Sequence, residues 1–225
     1  MHRLVDVSEY QGPDIDWQAV KDAGVVAAIV KGSEGNKGPN PHARAQILGA
    51  RAVGLLVTAY LFEYPLNFSA AHPGREPAAQ VDLFWRTVGD LAPFDLPVFC
   101  DVEWPPRNEW SQWFVTSASI AGHVAATCAC LDQRTGRRAG IYAGPGAWVP
   151  LGGCGLLDCY ASRPLWLAQY PGARDWWPDV ERLPVPMPPW DRCALWQFGD
   201  RIALGGVTLD GSLADNEGMA RLTGG

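Results

Sequence analysis

The sequence predicts an α/β fold: a TIM-like (β/α) barrel of about eight mostly parallel strands, helix-poor in the C-terminal third. Apolar runs alternate with helical patterns through about residue 140, which is typical of a parallel sheet. Eight such runs occur, and the length of 225 residues suits a trimmed barrel. An open doubly wound sheet is the alternative, but the chain lacks the glycine-rich phosphate loops expected there.

The predicted strands are short apolar runs that end in polar or aromatic residues. Runs of this kind are typical of strands that are buried on both faces. In chain order, they are Leu4–Val7, Val25–Lys31, Leu55–Phe62, Leu96–Val102, Ala139–Ala143, Leu165–Gln169, Ala194–Phe198 and a weaker run, Ile202–Leu209.

Four helices are predicted between these strands. Asp16 can cap the first, and a glycine follows each of them as a stop signal. Between Tyr170 and Cys193 prolines cluster, and no helix is predicted. The four helices are Trp17–Ala23, His42–Val53, Pro77–Val88 and Ser117–Arg134.

Composition excludes several classes of partner. With 24 acidic and 18 basic side chains the net charge is −6, which argues against nucleic acid. The longest apolar run, Val25–Val30, is too short for a bilayer, and the N-terminus has no apolar signal region. We therefore expect residues 1–225 to form a single domain, monomeric, without a membrane partner or a signal peptide.

Cysteine and histidine spacing indicates no metal site, because none of the six cysteines and four histidines follows a ligand pattern. Cys154 and Cys159 could pair in an oxidising compartment, but without a signal peptide we expect free thiols.

The strongest candidate for chemistry is the end of the fourth predicted strand. Asp101 and Glu103 are two residues apart, so both side chains face the same side of a strand. At the carboxyl end of a barrel strand that side is the active-site mouth. Two carboxylates this close repel, which raises one pKa and keeps a proton available near neutral pH. Such a pair can protonate a glycosidic oxygen, although two ordinary carboxylates at an exposed strand end would look the same.

Other strand ends carry carboxylates and aromatic rings, among them Asp6 after the first strand. If the strands are parallel, these side chains meet at one face, and carboxylates among aromatic rings are typical of a carbohydrate cleft. Packed strand ends or, for Asp215, a helix cap are the alternatives. The candidate substrate-binding residues are Glu34, Tyr60, Phe62, Trp104, Tyr142, Trp166, Gln169, Tyr170, Trp196 and Asp215.

A series of motifs extends over nearly the whole chain. Asp-Val-Ser-x-Tyr-Gln-Gly at residues 6–12 is followed by Lys-Gly-Ser-Glu-Gly at 31–35 and Ala-Tyr-x-Phe at 59–62. Asp-Val-Glu at 101–103 and Leu-Trp-Gln at 195–197 come later. In this order the motifs resemble glycoside hydrolase family 25, the Chalaropsis-type lysozymes.

The resemblance implies a barrel that cleaves the β-1,4 bond between N-acetylmuramic acid and N-acetylglucosamine in bacterial peptidoglycan, without metal or cofactor. It assigns the acid to Glu103, the second carboxylate to Asp101 and the N-terminal aspartate to Asp6. Asp215 would be the family's late aspartate. One departure is Leu61, where the family often has histidine.

Two carboxylates on one strand at positions i and i+2 lie on the same side of the bond to be cleaved, which favours a mechanism in which the substrate's 2-acetamido group is the nucleophile. Glu103 would be the general acid, and Asp101 would orient the acetamido group; an inverting scheme remains open. The expected enzyme is a phage endolysin or virion-associated lysin, made in the cytoplasm and acting on the wall after release. A non-catalytic wall-binding or phage structural module, or a hydrolase of another amino sugar polymer such as chitin, is the alternative.

Overall fold

A barrel made from one mixed sheet organises the chain. The computed structural model describes residues 1–35, 37–65, 76–103, 108, 111, 115–154, 157–172 and 175–224. Within these ranges the strands are β1 (His2–Val7), β2 (Val25–Glu34), β3 (Gly38–Pro39), β4 (Leu56–Phe62), β5 (Phe99–Asp101), β6 (Gly140–Ala143), β7 (Leu165–Ala168), β8 (Leu195–Leu204) and β9 (Val207–Ala214).

Eight of these strands close the barrel. Their order is β1-β9-β8-β7-β6-β5-β4-β2, and pairing between β2 and β1 completes the ring. Seven of the eight run parallel, while β9 is antiparallel to both of its neighbours. The two-residue strand β3 pairs only with the end of β2. The predicted fold class is therefore confirmed.

The last predicted strand was placed wrongly. Ile202–Leu209 spans a turn at Gly205 and Gly206, whose φ angles of 63° and 80° suit glycine. β8 runs up to this turn, and β9 returns from it along β1. The carboxyl end of β9 consequently lies beside His2, at the opposite end of the barrel from the carboxyl ends of the parallel strands.

The four predicted helices are confirmed to within two residues at each end. Two more, α5 and α6, complete the described set. The longest, α4, begins where Thr116 accepts a hydrogen bond from the Ser119 backbone (3.1 Å) and ends at Gly136, which adopts a left-handed conformation. The helices are α1 (Trp17–Asp22), α2 (Ala43–Ala52), α3 (Pro77–Val88), α4 (Ser117–Thr135), α5 (Pro145–Trp148) and α6 (Asn216–Thr223).

The described part between Tyr170 and Cys193 contains no helix, as predicted. Of the helices in the described ranges, none has the length and apolar character needed to cross a bilayer.

Side chains alternate between two cores. Outward-facing residues of the strands pack under the helices, whereas inward-facing residues such as Leu4, Ile29, Phe99 and Trp166 fill the barrel. The apolar filling of the barrel ends at the carboxyl ends of the parallel strands, where buried polar side chains replace it. We call this open end the mouth.

Candidate active site

Three strands bring carboxylates together at the mouth. Asp6 on β1 lies directly opposite Asp210 on β9. Asp101 ends β5, with Tyr142 of β6 as its cross-strand neighbour. Glu103 follows two residues later at the exposed rim. The predicted trio of Asp6, Asp101 and Glu103 is thus at one end of the barrel, and a fourth carboxylate joins it.

The side-chain amide of Gln197 connects the polar groups on the β8 side. Its Nε2 donates to both carboxylate oxygens of Asp6, at 3.1 and 2.9 Å, and lies 3.4 Å from Asp210 Oδ2. Its Oε1 accepts a hydrogen bond from Tyr142 Oη (2.7 Å) and another from the hydroxyl of Tyr170. Because two donors face Oε1, the amide is oriented with its NH2 group toward the carboxylates.

Asp6 and Asp210 both resist ionisation. Burial raises the pKa of Asp6, the charge of Asp210 raises it further, and the hydrogen bond from Gln197 opposes the rise. Burial, followed by the charges of Asp200 and Glu103, raises the pKa of Asp210 to about 6. The two carboxyl groups therefore hold protons at a pH where ordinary aspartates are ionised.

The carboxyl group of Asp101 is buried, and only part of its hydrogen-bonding capacity is used. Its Oδ1 has no hydrogen-bond partner in the described part of the chain. Burial raises its pKa, and the charge of Glu103 raises it further. Loss of water around the carboxyl group also raises the pKa of Glu103, against the opposing charge of Lys31. The pair therefore combines a rim carboxyl that can carry a proton with a buried acceptor that lacks a donor.

The opposite side of the mouth is an ion-pair cluster built around Lys31. Its Nζ lies 2.8 Å from Glu34 Oε2 and 3.3 Å from Glu9 Oε1. Burial raises the pKa of Glu34, but hydrogen bonds from Lys31, Lys37 and Tyr64 outweigh it and lower the pKa to about 2. Glu34 is therefore a permanent anion that holds two lysines, and it is unsuited to carry a proton.

Aromatic residues form the floor and one wall of the mouth. Trp166 is buried in the barrel, with its ring centroid 4.6 Å from Tyr142, 6.0 Å from Tyr60 and 5.3 Å from Phe99. It donates to Ser212 Oγ at 3.0 Å. Trp166, which the sequence predicts as a substrate contact, is only 1% exposed and supports the tyrosines from beneath instead.

The rings that reach the surface of the mouth are tyrosines and one phenylalanine. Tyr60 and Phe62 are partly exposed, and Tyr170 is 48% exposed beside the exposed Gln169. Tyr60, Phe62, Tyr142 and Tyr170 lie at the carboxyl ends of the parallel strands, as predicted.

Two predicted substrate-binding residues lie elsewhere. Trp196 faces the outer core, packs on Phe198 (5.8 Å between centroids) and donates to the Gln169 carbonyl, because its neighbour Gln197 occupies the inward position. Asp215 lies at the opposite end of the barrel, since β9 runs antiparallel.

Asp215 has a structural role at that end. It caps α6 by accepting from the Gly218 backbone (2.6 Å) and forms an ion pair with Arg192. Trp104, also predicted, lies outside the described residues.

The sequence patterns identify neither Asp210 nor Lys31 as a site residue, and they place Gln197 at a strand end of the mouth without assigning it a contact. Asp210 was missed because the turn at Gly205 and Gly206 was read as the interior of a strand. A turn at this position puts Asp210 on the returning strand, and the pairing of β9 with β1 then sets it opposite Asp6. Gln197 and Lys31 stand in quoted motifs, but nothing in their spacing indicates which groups they contact.

Leu61 does not touch the mouth. It is fully buried, belongs to the outer core and lies opposite Cys100 of β5. The departure from the histidine of the family pattern therefore changes the packing under the helices and leaves the carboxylates untouched. In the described ranges, no three His, Cys, Asp or Glu side chains form a group that could hold a metal ion.

Comparison with models of protein families identifies one family. The model of glycosyl hydrolases family 25 matches residues 5–207. The curated protein Lysozyme M1 of Streptomyces globisporus is 27% identical over 208 residues, which cover 92% of this chain. The chain spans 64% of the length of that relative.

Solved structures share the fold. A muramidase from Trichobolus zukalii superposes with a TM-score of 0.76 at 23% identity, covering 100% of both chains. A bacterial lysozyme from Streptomyces coelicolor gives 0.77 at 23% identity, covering 99% of this chain and 97% of that one. The catalytic domain of endolysin ply40 from bacteriophage P40 of Listeria monocytogenes gives 0.73 at 18% identity, covering 100% and 98%.

Proposed function

The chain belongs to family 25 of the glycosyl hydrolases, and on this premise we propose that it is a lysozyme, an N-acetylmuramidase that cleaves bacterial peptidoglycan. The bond cleaved is the β-1,4 linkage between N-acetylmuramic acid and N-acetylglucosamine. The observation that carries the proposal is the acid pair: Glu103 at the rim, with a raised pKa, and buried Asp101, one oxygen of which has no hydrogen-bond partner among the described residues.

In this proposal the unpartnered oxygen of Asp101 accepts the N–H of the substrate's 2-acetamido group. A donor at that position favours the ionised form of Asp101, which leaves Glu103 as the group that carries the proton of the pair. The hydrogen bond also turns the acetamido oxygen toward the anomeric carbon. Binding of the correct sugar thus prepares both the nucleophile and the acid.

Cleavage then proceeds in two steps. The acetamido oxygen attacks the anomeric carbon while the bond to the leaving oxygen breaks, and Glu103 gives its proton to that oxygen. The product is a cyclic oxazolinium ion and a shortened glycan. Glu103, now ionised, removes a proton from water, and the water oxygen opens the ring at the same carbon. The net result is hydrolysis with retained configuration.

Above a pH of about 6 Asp210 is ionised, and in this proposal it supplies negative charge beneath the reacting sugar, beside Asp6 and Gln197. The transition state of glycoside cleavage has oxocarbenium-ion character, so positive charge develops on the ring. An ionised carboxylate that is already fixed at that place stabilises the charge without reorganising. We propose Asp210, in place of Asp215, as the late aspartate of the family.

The proposal also covers the residues that contact the substrate and the biological setting in which the enzyme acts. Tyr60, Phe62, Tyr142 and Tyr170 would bind the sugar rings, with Gln169 and Trp104 as further predicted contacts. We propose that residues 1–225 act as one monomeric catalytic domain that binds peptidoglycan and no nucleic acid. Its setting would be a phage endolysin or virion-associated lysin, made in the cytoplasm and reaching the wall after release.

Reducing-end analysis of digested walls tests the proposal. Purified peptidoglycan is treated with the wild-type protein and with Glu103→Gln, and the new reducing ends are identified after borohydride reduction. We expect muramic acid ends with the wild type and at least a 10²-fold loss in the variant. Ends on glucosamine, or cleavage of chitin alone, would contradict the muramidase assignment. Binding to walls without any new ends would favour a non-catalytic module.

A further inference from the structure

Lys31 is a buried lysine at the mouth of the barrel. It follows the inward-facing Ile29 by two residues on β2, so its side chain rises from the barrel interior toward the mouth. Its side chain is only 6% exposed. A buried ammonium group is costly unless it is paired, so its position is significant.

The ammonium group is fixed by contacts from separate segments. Glu9 reaches it from the turn after β1, and Glu34 from the end of β2. Glu34 is itself held by Lys37 (2.8 Å) and by the hydroxyl of Tyr64 (2.5 Å). Because Glu34 is anchored in this way, Lys31 cannot swing out to solvent without breaking its ion pairs with Glu34 and Glu9.

The same ammonium group lies beside Phe62, which is a cross-strand neighbour of the acid pair. Its Nζ is 5.1 Å from the ring centroid of Phe62, and Phe62 is the cross-strand neighbour of Asp101. Its charge acts on both Asp101 and Glu103, lowering the pKa of each. In the described part of the chain, Glu103 interacts electrostatically with six other titratable groups, all of them carboxyl or phenol groups. They are Asp6, Asp101, Asp210, Tyr60, Tyr142 and Tyr170.

We propose that Lys31 is a positioning residue for the acid pair, a fixed positive charge that sets the pH range over which Asp101 and Glu103 can work together. The inference rests on the proposed lysozyme function and adds a residue to its machinery. When Glu103 has delivered its proton, the mouth holds an additional negative charge among three other carboxyl groups. A cation that is already fixed nearby lowers the cost of that charge.

The sign of the expected effect follows from the charge. Without Lys31, both Asp101 and Glu103 would lose their protons only at higher pH. The acid limb of the pH–rate profile reports ionisation of Asp101, and the alkaline limb reports loss of the proton from Glu103. Both limbs should therefore move upward in Lys31→Met, by about one pH unit. If Lys31 acted only by supporting the structure, Lys31→Met would lower the activity equally at every pH.

Matched variants separate charge from packing. Lys31→Arg keeps the charge and should keep the profile. Lys37→Met removes the other lysine that is paired with Glu34, but that side chain is 63% exposed, so the profile should stay within about 0.3 pH units of the wild type. Glu34→Gln removes an anion from Lys31 and should move the profile downward.

A titration that needs no substrate completes the test. The side-chain carboxyl of Glu103 is followed by ¹³C NMR, assigned by its loss in Glu103→Gln, in the wild type and in each lysine variant. Its midpoint should rise by about one pH unit in Lys31→Met and stay in place in Lys37→Met. If Lys31→Met does not fold, the downward shift in Glu34→Gln is measured in its place.

The two readouts distinguish the possible failures. A midpoint that stays within about 0.3 pH units of the wild type in Lys31→Met, or in Glu34→Gln when that replaces it, overturns the inference whatever the activity. A midpoint that moves in a protein that cleaves no wall leaves the charge role standing and refutes the lysozyme function. Movement of both the midpoint and the pH–rate profile supports both.

Discussion

Asp6 and Asp210 face each other across antiparallel strands, and the amide of Gln197 donates to Asp6 while lying 3.4 Å from Asp210. This relationship joins residues that are 204 positions apart in the chain and forms the deep acidic layer of the mouth. Two adjacent carboxylates under burial destabilise the folded state at neutral pH. The pair therefore lowers the stability of the fold, and it lies at the place where positive charge would develop in a substrate.

The first prediction separates the two late aspartates. Asp210→Asn should lower kcat/KM on peptidoglycan by roughly 10-fold or more, because one of the charges beneath the sugar is lost. Asp215→Ala should leave kcat/KM of the folded enzyme near the wild-type value. It should lower the free energy of unfolding by about 1 kcal/mol, through loss of the α6 cap. Equal losses of activity in both variants would show that the assignment of Asp210 is wrong.

The second prediction concerns stability and pH. The pKa of Asp210 is raised to about 6, so this group stabilises the fold fully below its ordinary pKa and loses that contribution as pH rises toward 6. Asp210→Asn should thus be more stable than the wild type at pH 7, by about 1–2 kcal/mol, and nearly equal to it at pH 4. Urea unfolding at the two pH values measures the difference. A variant that is less stable at pH 7 would contradict the argument.

The third prediction has the opposite sign. The pKa of Glu34 is lowered to about 2, so its contribution to stability is present above its ordinary pKa and is lost as pH falls toward 2. Glu34→Gln should be less stable than the wild type at pH 7 by about 1 kcal/mol, a value reduced by partial solvent screening. The gap should close as pH falls toward 2. Unfolding curves that differ equally at both ends of the range would exclude this account.

The fourth prediction concerns a buried polar cluster behind the strand that carries Asp101. Glu63 is fully buried, accepts from Thr127 Oγ1 and Cys100 Sγ (both 2.9 Å), and contacts His123 Nδ1. His123→Leu should destabilise the protein by about 3 kcal/mol, because it removes one hydrogen-bond partner from a fully buried carboxyl group. The double variant Glu63→Leu/His123→Leu should recover part of that loss. Strictly additive losses in a urea double-mutant cycle would mean that the two side chains do not act as a pair.

Local sequence patterns were enough to predict most of the strands and helices. The helices were found because apolar spacing and glycine stops are properties of neighbouring residues, and Pro77–Val88 has the predicted bounds. Asp101 and Glu103 were found for the same reason, since two residues along a strand always share a face. The predictions were wrong where the position of a residue depends on the direction of its strand or on the face to which its side chain points. Trp196 was placed at the mouth although only the register of β8 decides whether Trp196 or Gln197 points inward.

The partners within the site could not be predicted from spacing. The contact of Gln197 with Asp6 depends on closure of the whole barrel. That of Lys31 with Glu9 depends on the turn after β1. The turn at Gly205 and Gly206 was the one local signal that could have found Asp210, since adjacent glycines with positive φ mark a hairpin. Without it, Asp215 was chosen from its position after the last apolar run.

The anomeric configuration of the first product tests the central claim most directly, namely that Asp101 and the substrate acetamido group act together under the acid Glu103. A soluble peptidoglycan fragment is cleaved at high enzyme concentration, and ¹H NMR follows the new reducing end before the anomers interconvert. Attack by the acetamido oxygen followed by water at the same carbon gives two inversions, so the account predicts the β-anomer first. An α-anomer as the first product would show direct attack by water and would contradict the role given to Asp101.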